Sequence, residues 1–312
     1  MKLDSMVFAI KVLKPKLTAS TEVLKRFEAE ASTLSRLPAS KVQRAIDVGT
    51  LNDGRPYLVM QLARGRQLDT VIELLGPLPE RIVARLSLQL LDILSSCHRL
   101  GIVHRDVKPG NVHICIPEGT EETQAYLLDF GIATNPRTPR ASQIALDYCT
   151  PQYSAPEVGD GISSAALDVY STGVLMTEML SAELPDELKE RTTRQFHLPD
   201  WGDEELTLPE SARKSLLFPL IARAVSPDPG ERFASAVEMK EALQGTMKKF
   251  PGHLLDAATI GDQEGLSPNT CAFERRLADF VKRTPAPTAR DSSASPLATQ
   301  QATTAKIDFR RR

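Results

Sequence analysis

The stretch His104-Arg105-Asp106-Val107-Lys108-Pro109-Gly110-Asn111, with Asp129-Phe130-Gly131 downstream of it, decides how the rest of this chain reads. Asp106, Asn111 and Asp129 offer the hard oxygen ligands that Mg2+ prefers. Lys108 places a cation two residues beyond the first of these carboxylates. Between the two stretches, Val112–Ile116 and Tyr126–Leu128 read as short strands joined by the acidic loop Glu118–Glu122, so Asp129 stands at a strand end.

Outward from this centre the chain divides into a strand-rich first part and a helical second part. Upstream, Pro79 opens a long amphipathic helix whose apolar face is Ile82, Val83, Leu86, Leu90, Ile93, Leu94 and Cys97, and Gly101 stops it. Further upstream, Met6–Leu13 reads as a strand closed by Pro15. Ser20–Leu37 reads as a helix with Val23, Phe27, Ala31 and Leu34 on one face. Ala45–Gly49 and Tyr57–Met60 read as strands flanking the turn Asn52-Asp53-Gly54-Arg55, and Gln61–Gly65 as a short connector. Downstream, helices are predicted near Ala166–Leu180, Ser211–Ala224 and Ser235–Leu243; Ser235 and Glu238 have capping-box spacing. Periodicity fades beyond about Lys248, apart from an isolated helical stretch, Cys271–Lys282. From Thr284 the Pro, Ala, Thr, Ser and Gln composition cannot bury enough apolar surface to order itself.

Composition sets the outer bounds. The 312 residues are 41% apolar and 25% charged, ordinary for a globular protein that buries a sizeable core. A net charge of −2 argues against non-specific binding to nucleic acid or anionic membrane. Cys97, Cys115, Cys149 and Cys271 show no CxxC pair, so neither a zinc site nor a disulfide framework is expected. The N-terminal apolar run is too short for a signal peptide, and no stretch reaches the ~18 apolar residues of a spanning helix. A cytoplasmic setting is the expectation. His98, His197 and His253 lack ligand-spaced partners and read as packing or surface residues, and Trp201 as a packing residue in a polar loop.

HRDxKxxN followed by DFG, in this order and spacing, resembles the bacterial, eukaryotic-like Ser/Thr protein kinases, and the resemblance covers roughly residues 5–245. It implies an α+β, bilobal kinase fold: a small antiparallel β lobe over about 1–62, a larger helical lobe over about 63–247, and a tail over 248–312. It implies ATP and Mg2+ as cofactors and protein Ser/Thr hydroxyls as acceptors. By the same resemblance, Asp106 is the catalytic base and Lys108 neutralises the transferring phosphate. Asn111 and Asp129 bind magnesium, Lys11 contacts the α and β phosphates, and Glu30 pairs with Lys11. Thr150-Pro151-Gln152-Tyr153-Ser154-Ala155-Pro156-Glu157 matches the segment that shapes the peptide site. Asp168 matches the brace of the catalytic loop, and Arg232, in Asp228-Pro229-Gly230-Glu231-Arg232-Phe233, the ion-pair partner of Glu157. Lys108 and Thr150 together are the Ser/Thr arrangement. Arg105 marks the type whose activation loop is ordered by phosphorylation, with Thr134, Thr138 and Ser142 as candidate acceptors.

Two departures shape the expectations. Only ten residues precede Lys11, they fit one strand, and no GxGxxG lies among them. The small lobe is therefore expected to be truncated, either because the true start lies upstream or because the chain is naturally shortened. The alternative reading is a pseudokinase or scaffold module with weak ATP use. His113 falls where the family has an apolar side chain beneath the adenine. A small-molecule phosphotransferase of the aminoglycoside-kinase type is a third reading, opposed by the segment from Asp129 to Glu157 that such enzymes lack.

Overall fold

A computed structural model describes residues 8–37, 42, 45–62, 65–117, 120, 122–130, 149–158, 164–192, 206–250 and 268–283. The small lobe is an antiparallel sheet of order β1-β3-β2, from β1 (Phe8–Val12), β2 (Ala45–Thr50) and β3 (Pro56–Gln61). Phe8 stands opposite Gln61 and Val12 opposite Tyr57, so Lys11 faces Leu58 in register. The β2–β3 turn closes through Leu51 N–H to Arg55 O (2.8 Å) and Gly54 N–H to Leu51 O (2.9 Å), with Gly54 at φ 83°. Glycine takes that conformation without a Cβ clash.

Helix α1 (Thr21–Arg36) is capped by Ser20, whose Oγ accepts from Val23 N–H at 3.4 Å. Its predicted face is buried: Val23, Phe27, Ala31 and Leu34 all lie in the core. Glu30 lies on this helix and is buried with them. An apolar stripe seats the helix and in doing so carries a carboxylate to the sheet.

The connector after β3 leads into β4 (Arg66–Gln67), which pairs antiparallel with β5 (Val112–Cys115), and β5 with β6 (Gln124–Leu127). Gly65, at φ 129°, precedes β4 at a point where a Cβ would collide with the Ile114 carbonyl. The large lobe follows with α2 (Leu68–Leu75), α3 (Glu80–Arg99), α4 (Ala165–Ser181), α5 (Asp186–Lys189), α6 (Glu210–Arg213), α7 (Phe218–Ala224), α8 (Ala236–Met247) and α9 (Pro268–Lys282). All seven apolar positions predicted for the buried face of α3 are buried. α4 is enclosed on nearly every side, between α3, α6, α7 and α8. Two of its buried hydroxyls turn back on their own helix, Thr172 to Asp168 O at 2.7 Å and Thr177 to Gly173 O at 3.1 Å, while Ser171 also reaches Tyr153 O at 2.7 Å.

Two expectations are corrected. The single helix read over Ser211–Ala224 is two short ones. Pro219 has no N–H and its ring would meet the carbonyl four residues back, so a continuous helix breaks there. The intervening turn is instead held by Glu80, which accepts from Ser215 Oγ (2.5 Å) and Leu217 N–H (3.3 Å). The second correction concerns α9. It begins at Pro268, three residues before its predicted start, and is not isolated: Phe273, Leu277 and Val281 are buried in the common core. Its periodicity was legible; the surface that receives it is assembled from residues far away in sequence.

Deep in the large lobe, Arg232 and Glu157 form a two-pronged ion pair of 2.7 and 2.9 Å. Arg232 is 2% exposed, Glu157 6%, and the guanidinium also donates to Ser226 O at 2.6 Å and Pro227 O at 2.9 Å. Arg232→Ala leaves the Glu157 carboxylate buried and uncompensated. We predict a stability loss of about 3–5 kcal/mol, read as a lower urea midpoint at unchanged slope. A loss below about 1 kcal/mol would mean that water reaches the carboxylate.

Candidate active site

The loop between α3 and β5 is built around one carboxylate. Arg105 holds a left-handed backbone, φ 68°, uncommon for a long side chain. The conformation is fixed because two successive amides donate to Asp168: His104 N–H to Oδ2 at 2.9 Å and Arg105 N–H to Oδ1 at 2.8 Å. His98 Nε2 lies 2.8 Å from the same Oδ2. Burial by itself would push the Asp168 carboxyl up; the hydrogen bond and charge of His98, with the amide of His104, hold it below the ordinary carboxylate value. This role of His98 was missed in the sequence. Its only signal was a histidine in the last turn of the helix that feeds the loop.

Asp106 follows the bend. Its Oδ1 accepts from Thr150 Oγ1 at 2.7 Å; its Oδ2 accepts from Asn111 Nδ2 at 2.8 Å and lies 2.8 Å from Lys108 Nζ. Lys108 Nζ also donates to Thr150 Oγ1 at 2.6 Å. Asn111 Nδ2 further holds the Asp106 backbone carbonyl at 2.8 Å, which leaves the amide oxygen of Asn111 as its free acceptor. Leu128 N–H donates to Asn111 O at 2.8 Å, tying the end of β6 to the start of β5. Asp129 comes next, at φ 58°. Two strained non-glycine residues within one site, Arg105 and Asp129, mark where the surrounding fold dictates backbone geometry.

Lys11 crosses from the small lobe. Its Nζ lies 2.7 Å from Glu30 Oε1, 2.5 Å from Oε2, and 3.4 Å from Asp129 Oδ1. Burial works against its charge, but the carboxylates of Asp129 and Glu30 hold its pKa above the ordinary lysine value. Lys11 thus stays an ammonium between the lobes. The six sequence-predicted site residues thus fall into two sets of side-chain contacts, Lys11 with Glu30 and Asp129, and Asp106 with Lys108 and Asn111.

Asn111 and Asp129 carry oxygen donors of the kind a hard divalent cation takes. Among the described residues no three His, Cys, Asp or Glu side chains cluster as metal ligands. Asn111 and Asp129 offer only two side-chain positions, which matches the habit of Mg2+ to rest on one or two protein oxygens and complete its shell with phosphate and water.

Further residues lie beside these contacts, of which Gln67 was not singled out in the sequence. Gln67 of β4 donates from Nε2 to Gly110 O at 2.9 Å, linking the connector to the catalytic loop. Tyr153 Oη donates to Glu178 at 2.6 Å, pinning the segment after Thr150 to α4. His113 sits on β5 opposite Gln67 and Tyr126. Burial pushes the thiols of Cys97 up to about 12 and of Cys115 and Cys149 up to about 11, so they stay protonated and unreactive at neutral pH. Gly131, Thr134, Thr138, Ser142, His197, Trp201 and His253 lie outside the described residues.

Residues 1–245 match the family described as protein kinase domain. Serine/threonine-protein kinase pkn3 of Myxococcus xanthus is 31% identical over 256 residues, 80% of this chain and 46% of that protein. Serine/threonine-protein kinase pkn2 of the same organism is 36% identical over 244 residues, 75% of this chain and 29% of that protein. PknL of Mycobacterium tuberculosis, also described as a serine/threonine-protein kinase, is 30% identical over 258 residues, 78% of this chain and 59% of that protein. This chain thus spans less than two thirds of the length of each of these relatives. In fold it is similar to the crystal structure of a double mutant of the Mycobacterium tuberculosis PknI kinase domain, with a TM-score of 0.58, 23% identity, and coverage of 77% of this chain and 85% of that one. With the family match running through both lobes, this chain belongs to the protein kinase family, and its relatives are the bacterial serine/threonine kinases.

Proposed function

We propose that this chain transfers the γ-phosphate of ATP to Ser or Thr hydroxyls of proteins. The observation that carries the reading is the closed set of contacts joining Asp106, Lys108 and Thr150, together with Lys11 held between Glu30 and Asp129. Phosphoryl transfer asks a protein chiefly for positioning and charge neutralisation. Asp106 orients the acceptor hydroxyl and takes its proton, with Asn111 and Thr150 fixing the carboxylate plane. Lys108 sits beside it to balance charge gathering on the phosphate oxygens. Lys11, kept protonated, binds the α and β phosphates. Asn111 and Asp129 would hold Mg2+, which when bound would supply charge neutralisation. Thr150, adjacent to Pro151, supports Ser/Thr rather than Tyr acceptors.

A second reading, weak nucleotide use by the 312-residue polypeptide, is supported by one observation. Residues 1–10 of this polypeptide contain no glycine. A glycine-rich turn lays backbone N–H groups on phosphates, each such charge-assisted bond worth about 1.5–3 kcal/mol.

The test is transfer of labelled phosphate from Mg-ATP to Ser/Thr peptides. We predict that Asp106→Asn lowers turnover by roughly 10²–10⁴-fold while leaving the circular dichroism spectrum and unfolding midpoint intact. Turnover within about twofold of the parent would remove Asp106 from the mechanism. Asp129→Ala is predicted to be as severe and also to weaken nucleotide binding by titration calorimetry. Mass spectrometry after incubation with Mg-ATP is predicted to find phosphate on Ser or Thr between 134 and 142; an unmodified loop in an active enzyme would argue against phosphorylation-gated activation. For residues 1–312 alone we predict slow turnover and poor ATP affinity. Micromolar affinity with ordinary turnover would show that another part of the chain covers the phosphates.

A further inference from the structure

α9 lies beyond the 245 residues that match the kinase domain, yet it is built into the wall behind the active site. Phe273, Leu277 and Val281 are buried, Leu277 completely. On one side, Glu274 pairs with Arg85 of α3 at 2.9 Å. The same guanidinium donates to Thr123 Oγ1 at 3.0 Å, next to β6. On the other side, the ring of Phe280 lies 4.6 Å from the Arg66 guanidinium, and Arg66 Nη2 donates to Arg283 O at 3.4 Å. Between these two anchors the helix rests against β5.

What α9 grips is the sheet that carries the site. β5 starts immediately after Asn111, and β6 ends two residues before Asp129. β4, which holds Arg66, is two residues long and, among the described residues, pairs with Ile114 and His113. So short a strand has little pairing of its own and depends on outside support. Gln67, the residue after Arg66, reaches the catalytic loop at Gly110. An unbroken series of contacts thus runs from Phe280 through Arg66 and Gln67 to Gly110, beside Asn111.

We propose that α9 is a strap that positions the interlobe connector and the catalytic loop, with Arg66 and Phe280 as positioning residues. Docked, the helix fixes β4 against β5, and β4 in turn fixes the loop that bears Asp106 and Asn111. Released, it leaves the large-lobe core of α4, α7 and α8 in place but frees the connector. The strap is thereby a point at which events in the C-terminal region reach the nucleotide site. The proposal rests on the kinase reading for its catalytic readout alone.

The test uses the full 312-residue chain and its Phe280→Ala, Phe280→Tyr and Leu277→Asp variants. Hydrogen–deuterium exchange without nucleotide reports the strap directly, and steady-state kinetics report its effect. In Phe280→Ala we expect exchange over residues 66–68 and 107–115 to quicken by about fivefold or more, with exchange in α4 unchanged. The KM for ATP rises several-fold, and Phe280→Tyr, which keeps a ring under Arg66, restores both. Leu277→Asp gives the larger effect; should it fail to fold, Phe280→Ala at its half-buried position decides. Faster exchange confined to residues 268–283, with residues 107–115 and KM unmoved, would overturn the proposal and leave α9 as packing. If the parent chain transfers no phosphate, the kinase reading fails, while the exchange data still decide the strap.

Discussion

The Asp168 carboxylate is the constraint on which the rest of the site depends. It is buried at the start of α4, the most enclosed helix of the large lobe, and it takes three donors on the loop side: two backbone amides and His98. A buried carboxylate is tolerated only when its lone pairs are satisfied. Here satisfaction requires that Arg105 adopt a left-handed backbone, and that bend sets the direction in which Asp106 leaves the loop. The direction of Asp106 is thus fixed by the solvation needs of a different residue, set in the core.

The two lobes contribute unequally. The large lobe supplies a rigid platform, with α4 at its centre and the Arg232–Glu157 pair holding the segment that follows Thr150. The small lobe supplies one cation, Lys11, delivered by a sheet and held by a carboxylate on α1. Because Glu30 and Asp129 both face Lys11, one ammonium joins small-lobe helix, small-lobe sheet and large-lobe loop. Rotation of α1 would withdraw Glu30 and leave Lys11 to Asp129 alone.

Much of this was legible in the sequence because its signals are local. The apolar stripes of α1 and α3, the turn at Gly54 and the cap at Ser235 each depend on residues a few positions apart, and the structure repeats them. The six candidate site residues came from the resemblance to the kinase family, and the structure places Lys11 with Glu30 and Asp129 and Asp106 with Lys108 and Asn111. What escaped depends on distant partners. His98 acquires its role only when α4 packs beneath it, Gln67 only when β4 lies on β5. The break at Pro219 was visible as a residue but overridden by the apolar pattern on either side. α9 was recognised as a helix and misplaced, because nothing in its own fifteen residues says which surface receives it.

The contact between Arg85 and Glu274 spans 189 positions of sequence. During synthesis at ~5–20 residues per second, Arg85 waits roughly 10–40 s for its partner to be made. In that interval the catalytic loop has already emerged, and its brace at Asp168 follows 63 residues after Arg105. A nascent chain therefore passes through a stage in which Arg85 and Arg66 have emerged but their partners on α9, Glu274 and Phe280, have not. Docking of α9 is thus an event of late synthesis, possible only after the Asp168 brace and the helices that follow it have been made.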